Sequence, residues 1–258
     1  MTKLSKAFEN KKAFIAFITA GDPDLETTEK LIYEMVENGV DLIEIGIPFS
    51  DPIAEGTVIQ EADIRALANG TTTEKIFDLV EKIRPNVAIP LVFMTYCNVV
   101  FGYGTEKFMQ KCQQIGIDGL IIPDVPYEEK EELHPYTKKY GIELVSLVAP
   151  TSHDRITSIA KDAEGFLYIV SSLGVTGVRS EIKTDIGEIV SLAKSASDIP
   201  CAVGFGISTP EQAAAMSKTA DGVIVGSAIV RIIAKYGRDS VKYVGEYVKS
   251  LADACHHQ

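Results

Sequence analysis

Cysteine is scarce in this chain. The four present, Cys97, Cys112, Cys201 and Cys255, stand too far apart to match a metal-ligand spacing or a disulfide framework, which points to a reducing compartment and to no bound metal. Histidine is as rare, and His134, His153, His256 and His257 fall in expected loops, helices or the tail, away from strand ends. No apolar run approaches membrane-spanning length, and the opening segment MTKLSKAFENKK is polar and amphipathic, without the apolar centre of a signal peptide. Positive charge is also short. With 25 Lys and Arg against 36 Asp and Glu, the formal net charge of -11 argues against nucleic acid or an anionic membrane as partner. A locally positive pocket for a small phosphate stays compatible with it. These absences describe a cytoplasmic protein.

What is present is a large apolar content, 46% over 258 residues, with no composition shift or Ser/Gly-rich linker, so a single domain over 1–258 is expected. After a short leading helix from Leu4 to Asn10, eight apolar strands are expected: Ala13–Thr19, Leu42–Ile47, Ile89–Thr95, Gly119–Ile122, Glu143–Val148, Phe166–Val170, Pro200–Gly204 and Gly222–Val225. Helical patterns separate them, among them Leu25–Glu37, Thr73–Ile83, Thr105–Ile115 and Tyr127–Tyr140. Eight such units favour an α/β fold closed into a (β/α)₈ TIM barrel, with an open doubly wound sheet as the competitor. In a barrel, catalytic groups gather where strands hand over to the following loops.

The stretch EIGIPFSDPIAEGTVIQ, Glu44 to Gln60, carries charge where it is least expected. Glu44 lies between Ile43 and Ile45 in an apolar run, where an ionisable group needs either a partner or a function. The loop beyond adds Asp51 and Glu55. Taken alone, Glu44 could equally pair with a buried cation, and Glu55 could be a solvated loop charge. Near the other end of the chain, three glycine-rich turns follow the last three strands: Gly174–Gly177, Gly204–Gly206 and Val225–Ala228. Glycine lets a backbone approach an anion, and Ser227 at a helix start adds a hydroxyl and the positive end of the dipole. The turns together would cradle a phosphate. Each glycine by itself could simply close a tight turn.

IEIGIPFSDPIAEG, the DVP of Asp124 to Pro126, the GVTG turn, GFGISTPEQ and VGSAIV together resemble the tryptophan synthase α-subunit family over nearly the whole chain. The resemblance implies a (β/α)₈ barrel that splits indole-3-glycerol phosphate into indole and glyceraldehyde 3-phosphate with no cofactor of its own. It implies an α₂β₂ heterotetramer in tryptophan biosynthesis, whose β-subunit holds pyridoxal phosphate. Carried over by position, Glu44 matches the catalytic glutamate, and Glu55 stands where the family usually has its catalytic aspartate. Phe17, Met94, Ile121, Leu147 and Phe205 match the slot for the indole ring, Tyr168 a tyrosine lining the site, and Thr176 a loop threonine that meets the aspartate on closure. Gly177, Gly206, Gly226 and Ser227 match phosphate contacts, and Asp51 and Asn98 lie in regions facing the β-subunit.

Departures from the family pattern are local. The usual ADGP reads Ala54-Glu55-Gly56-Thr57 here, with one more methylene on the acid and no proline to stiffen the loop, and Pro123 replaces an alanine. Other readings stay open: a different phosphate-binding barrel enzyme, such as indole-3-glycerol phosphate synthase or a sugar-phosphate isomerase, or a regulatory α-subunit whose chemistry has weakened. The synthase would be expected to carry a lysine on a strand, and the first three strands have none. The segment Ser171 to Asp185 reads as a lid or as a disordered loop.

Overall fold

A run of β-branched and large apolar residues needs both of its faces covered, and every strand that follows that pattern enters one parallel sheet. In the computed structural model, which describes residues 3–150, 153–170, 186–204 and 206–257, the strands are β1 (Ala13–Thr19), β2 (Leu42–Gly46), β3 (Leu91–Met94), β4 (Gly119–Ile121), β5 (Glu143–Leu144), β6 (Ser146–Val148), β7 (Leu167–Val170), β8 (Cys201–Gly204) and β9 (Gly222–Val225). All pairings are parallel, in the order β5-β4-β3-β2-β1-β9-β8-β7-β6. The two end strands are consecutive in the chain and separated only by Val145, whose N–H still bonds to Leu120 O at 2.9 Å. The ring therefore closes through the chain itself. The expected fifth strand is one barrel strand interrupted at Val145, and the fold is the (β/α)₈ barrel rather than the open sheet.

Alternation along each strand sorts the core into two layers. Ile15, Leu42, Val92, Ile121, Tyr168, Ala202 and Ile224 fill the barrel interior. Phe14, Ile43, Ile45, Phe93, Leu120 and Val223 point outward and pack beneath the helices. The leading segment forms a 3₁₀ turn, Leu4–Phe8, shorter than expected, and its Leu4 and Ala7 plug the bottom of the barrel within the inner layer. The Leu4 N–H is fixed by Glu143 Oε2 at 2.9 Å.

Helices start and stop where local chemistry says they should. Asp24 caps Leu25–Glu37 by accepting from Thr27 N–H, and Thr209 and Gln212 form a reciprocal capping box at the start of Pro210–Ser217. Gly116 and Gly141 end their helices in the left-handed conformation that a side chain would resist. Two expectations need correction. The single helix Tyr127–Tyr140 is a 3₁₀ segment, Tyr127–Glu132, followed by an α-helix, His134–Tyr140, with Pro135 in its first turn. A helix not anticipated, Cys97–Tyr103, follows β3 directly. Its N-terminus is held from a distance, Asp124 accepting from Cys97 N–H at 3.0 and 3.2 Å. Among the described residues no helix is long and apolar enough to cross a membrane.

Candidate active site

Glu44 sits near the end of β2, and alternation decides where it points. Leu42, two residues earlier, belongs to the inner layer, while Ile43 and Ile45 face the helices. Glu44 therefore faces into the barrel, level with Phe17 in the β1–β2 pairing and with Val92 in the β2–β3 pairing. It is 1% exposed, and among the described residues neither of its oxygens has a hydrogen-bond partner. Among the described residues no cation offsets the loss of water, and burial pushes its carboxyl up to about 8. Near neutral pH it holds a proton. The alternative of a buried ion pair for Glu44 finds no partner among the described residues.

The loop after β2 is fastened from β3. Tyr96, the residue before the helix Cys97–Tyr103, accepts a hydrogen bond from Ala54 N–H at 3.1 Å, and its ring stacks on Phe49 with centroids 5.3 Å apart. This brings Glu55 inward to 9% exposure, so it is not a solvated loop charge. Its carboxyl meets the Asp63 carboxyl and the Tyr96 hydroxyl, and burial raises its proton affinity, while Oε2 has no hydrogen-bond partner among the described residues. Asp63, on the helix Thr57–Ala68, is 4% exposed. Burial first, and the Glu55 charge second, push its carboxyl well above the usual range.

Glu44, Glu55, Phe17, Met94, Tyr168, Gly226 and Ser227 line one narrow cavity of about 60 Å³, completed by Ala54, Ile59 and Ile224. Gly226 and Ser227 open the helix Ser227–Tyr236, whose first N–H groups have no partner within the helix and suit an anion. A side chain at Gly226 would crowd the site: an added Cβ would lie 3.2 Å from both Cβ and Cδ1 of Phe17. Burial, and then the Glu44 carboxyl, raise the Tyr168 hydroxyl well above its ordinary value.

The remaining expected residues fall elsewhere. Ile121 and Leu147 lie in or against the inner apolar layer rather than on the cavity wall. Gly206 takes a positive φ of 82° and is not part of the cavity wall. Thr176, Gly177 and Phe205, and with them the expected lid, lie outside the described residues. Asp51 and Asn98 are exposed, each near an exposed apolar side chain in sequence, Ile53 at 73% and Phe101 at 49%. Sequence reasoning missed Asp63 and Tyr96. The signal for Asp63 was present: it shares the buried helix face of Ile59, Ala62 and Ala66, an acid in an apolar stripe as Glu44 is an acid in an apolar strand.

The site thus offers a protonated carboxyl in dry surroundings, a second carboxyl in the same cavity, and a helix N-terminus in its wall. Comparison with known proteins bears on what these groups serve. The family model described as tryptophan synthase alpha chain matches residues 4–256. A tryptophan synthase alpha chain from Lactiplantibacillus plantarum is 52% identical over 92% of this chain and 90% of its own length, and one from Lacticaseibacillus casei is 47% identical over 97% and 94%. Among solved structures, a Mycobacterium tuberculosis tryptophan synthase superposes with a TM-score of 0.90 at 32% identity, covering 99% of this chain and 98% of that one. A tryptophan synthase complex from Pyrococcus furiosus gives 0.86 at 35% identity over 94% and 98%.

Proposed function

This chain belongs to the tryptophan synthase alpha chain family, and from that premise we propose that it is a carbon-carbon lyase that cleaves indole-3-glycerol phosphate into indole and glyceraldehyde 3-phosphate. The observation that carries the reading is a protonated, unpartnered Glu44 in the same cavity as the Gly226–Ser227 helix start.

The cleavage is a retro-aldol reaction. Indole C3 must gain a proton, positive charge then develops around N1, and the glycerol hydroxyl next to the breaking bond must lose its proton as the aldehyde forms. A carboxyl kept protonated by desolvation and mounted on a rigid strand can give the first proton and take the second. Glu44 has that role. Glu55 supplies negative charge near the ring nitrogen, stabilising the cation as it forms. Phe17, Met94 and Tyr168 sandwich the ring, with Ile121 and Leu147 behind them, and Phe205 belongs to the same slot by its position in the family pattern. The N–H groups at Gly226 and Ser227 take the phosphate, and the family pattern assigns Gly177 and Gly206 to the same anion and Thr176 to the acid.

Asp51 and Asn98 face a β-subunit in an α₂β₂ assembly, with Ile53 and Phe101 giving that surface its apolar content. The chain needs no cofactor for this chemistry, pyridoxal phosphate belonging to the β-subunit. It acts in the cytoplasm as one domain over 1–258. A synthase reading would want a lysine pointing into the barrel, and β1, β2 and β3 contain none.

The test is indole release from indole-3-glycerol phosphate with and without a β-subunit. Release by the chain, stimulated by the partner, is expected. Stimulation of the partner with no release would leave only a regulatory subunit, and conversion of an anthranilate-type precursor would make the chain a synthase.

A further inference from the structure

Two buried carboxyls in contact cannot both ionise without a large cost, because the repulsion acts in a weakly screened setting. Glu55 and Asp63 are such a pair, 9% and 4% exposed and hydrogen-bonded to each other. We propose that Asp63 is a positioning residue for Glu55, the two carboxyls sharing one proton that Asp63 keeps and donates, so that Glu55 bears the charge and is held in a single orientation. The inference rests on the function proposed above and deepens it, because it explains how a glutamate serves where a shorter acid is usual.

Surrounding groups fix which partner holds the proton. Phe49 N–H reaches Asp63 Oδ2 only at a long 3.5 Å. Burial raises the proton affinity of both carboxyls, and the hydrogen bond between them partly offsets that rise at Glu55 while adding to it, after the Glu55 charge, at Asp63. Asp22, from the loop after β1, adds negative charge near Asp63, and Arg65 on the same helix is engaged by Asp22 through two contacts of 2.8 Å. Tyr96 meets Glu55 from the end of β3; burial and the Glu55 charge keep its hydroxyl protonated, and Asp124 adds to that effect. Glu44 reaches the same cavity from β2. One oxygen of Glu55, Oε2, is left without a partner among the described residues and is free to accept the ring N–H. A glutamate gains rotamer freedom with its extra methylene, and the second carboxyl removes it.

Asp63→Asn and Asp63→Ala separate this from simple packing. The amide still donates to Glu55 but cannot ionise; alanine does neither. In steady-state assays with the β-subunit, Asp63→Ala is expected to lower kcat about tenfold or more with KM within about twofold, since an orienting contact is lost. Asp63→Asn should recover most of that loss. The pH profile adds a readout that packing would not move. Wild-type activity should fall with a slope of one above pH 8, where Glu44 loses its proton, and steepen to two above pH 9, where Asp63 loses its own. In Asp63→Asn the second steepening should vanish, so that at pH 10 the variant gains about tenfold relative to wild type.

Wild-type kcat in Asp63→Ala, or the same steepening in Asp63→Asn, overturns the proposal. If the alanine variant does not fold, the asparagine comparison decides alone. A wild-type protein that releases no indole at any pH sinks the reaction instead. The pair is then judged by a carboxyl ¹³C NMR titration: a step near pH 9 that is missing in Asp63→Asn supports it, and both carboxyls titrating below pH 6 overturns it.

Discussion

Replacing Glu44 by glutamine should make the protein more stable at alkaline pH while removing its chemistry. The folded state raises the Glu44 carboxyl from an ordinary 4.5 to about 8. Between those values the folded protein holds a proton that the unfolded chain has released. Stability from this group is therefore complete below pH 4.5 and declines as pH rises through 8. At ~1.4 kcal/mol per pH unit the window amounts to an upper bound of ~5 kcal/mol, and entry of water or side-chain relaxation would reduce it to ~2–4 kcal/mol. Glutamine has nearly the same shape, replaces one unpartnered neutral group with another, and does not ionise. In urea unfolding at pH 5, 7 and 8.5, the variant should match wild type within ~1 kcal/mol at pH 5 and exceed it by ~2–4 kcal/mol at pH 8.5. The Glu55–Asp63 pair is common to both proteins and cancels in the difference. A constant gap across the three pH values, or a wild type that is the more stable at pH 8.5, would refute the claim that Glu44 is buried without a partner.

Other perturbations follow from packing. Gly226→Ala places a Cβ 3.2 Å from Phe17, which must shift toward the cavity, so KM for indole-3-glycerol phosphate should rise about tenfold with a stability loss of ~1 kcal/mol; an unchanged KM would count against Phe17 as a wall of the site. Arg65→Met leaves Asp22, 1% exposed, without its two-contact partner and should cost ~3–5 kcal/mol by urea unfolding. A cost below ~1 kcal/mol would mean that Asp22 finds another donor.

Much of this architecture was legible in the residues because strand and helix periods are local signals. Ala13–Thr19, Leu25–Glu37 and Gly222–Val225 appear with the boundaries expected of them, since Asp24, Gly21 and Gly39 mark the turns. The failures share a cause. The helix Cys97–Tyr103 has an apolar, glycine-containing sequence, and its first N–H is held by Asp124, 27 residues away; no local pattern reports such a contact. The break at Val145 is likewise set by ring closure and not by composition. In the site, Glu44 was visible because an acid in an apolar strand contradicts its surroundings. Asp63 carried the same contradiction at helical spacing, where one acid in a stripe of small apolar residues is easily read as the polar edge of an amphipathic helix. Tyr96 could not be found that way, because its value lies in reaching Ala54 and Phe49 across the fold.

The most direct test of the whole account is a single-turnover measurement of carbon-carbon bond cleavage in Glu44→Gln, with substrate saturating and its affinity measured in parallel. Loss of the group that moves both protons should slow cleavage by about 10²–10⁴-fold while the dissociation constant changes by no more than a few-fold. Cleavage at the wild-type rate would contradict the assignment of Glu44 as the acid and base of the reaction.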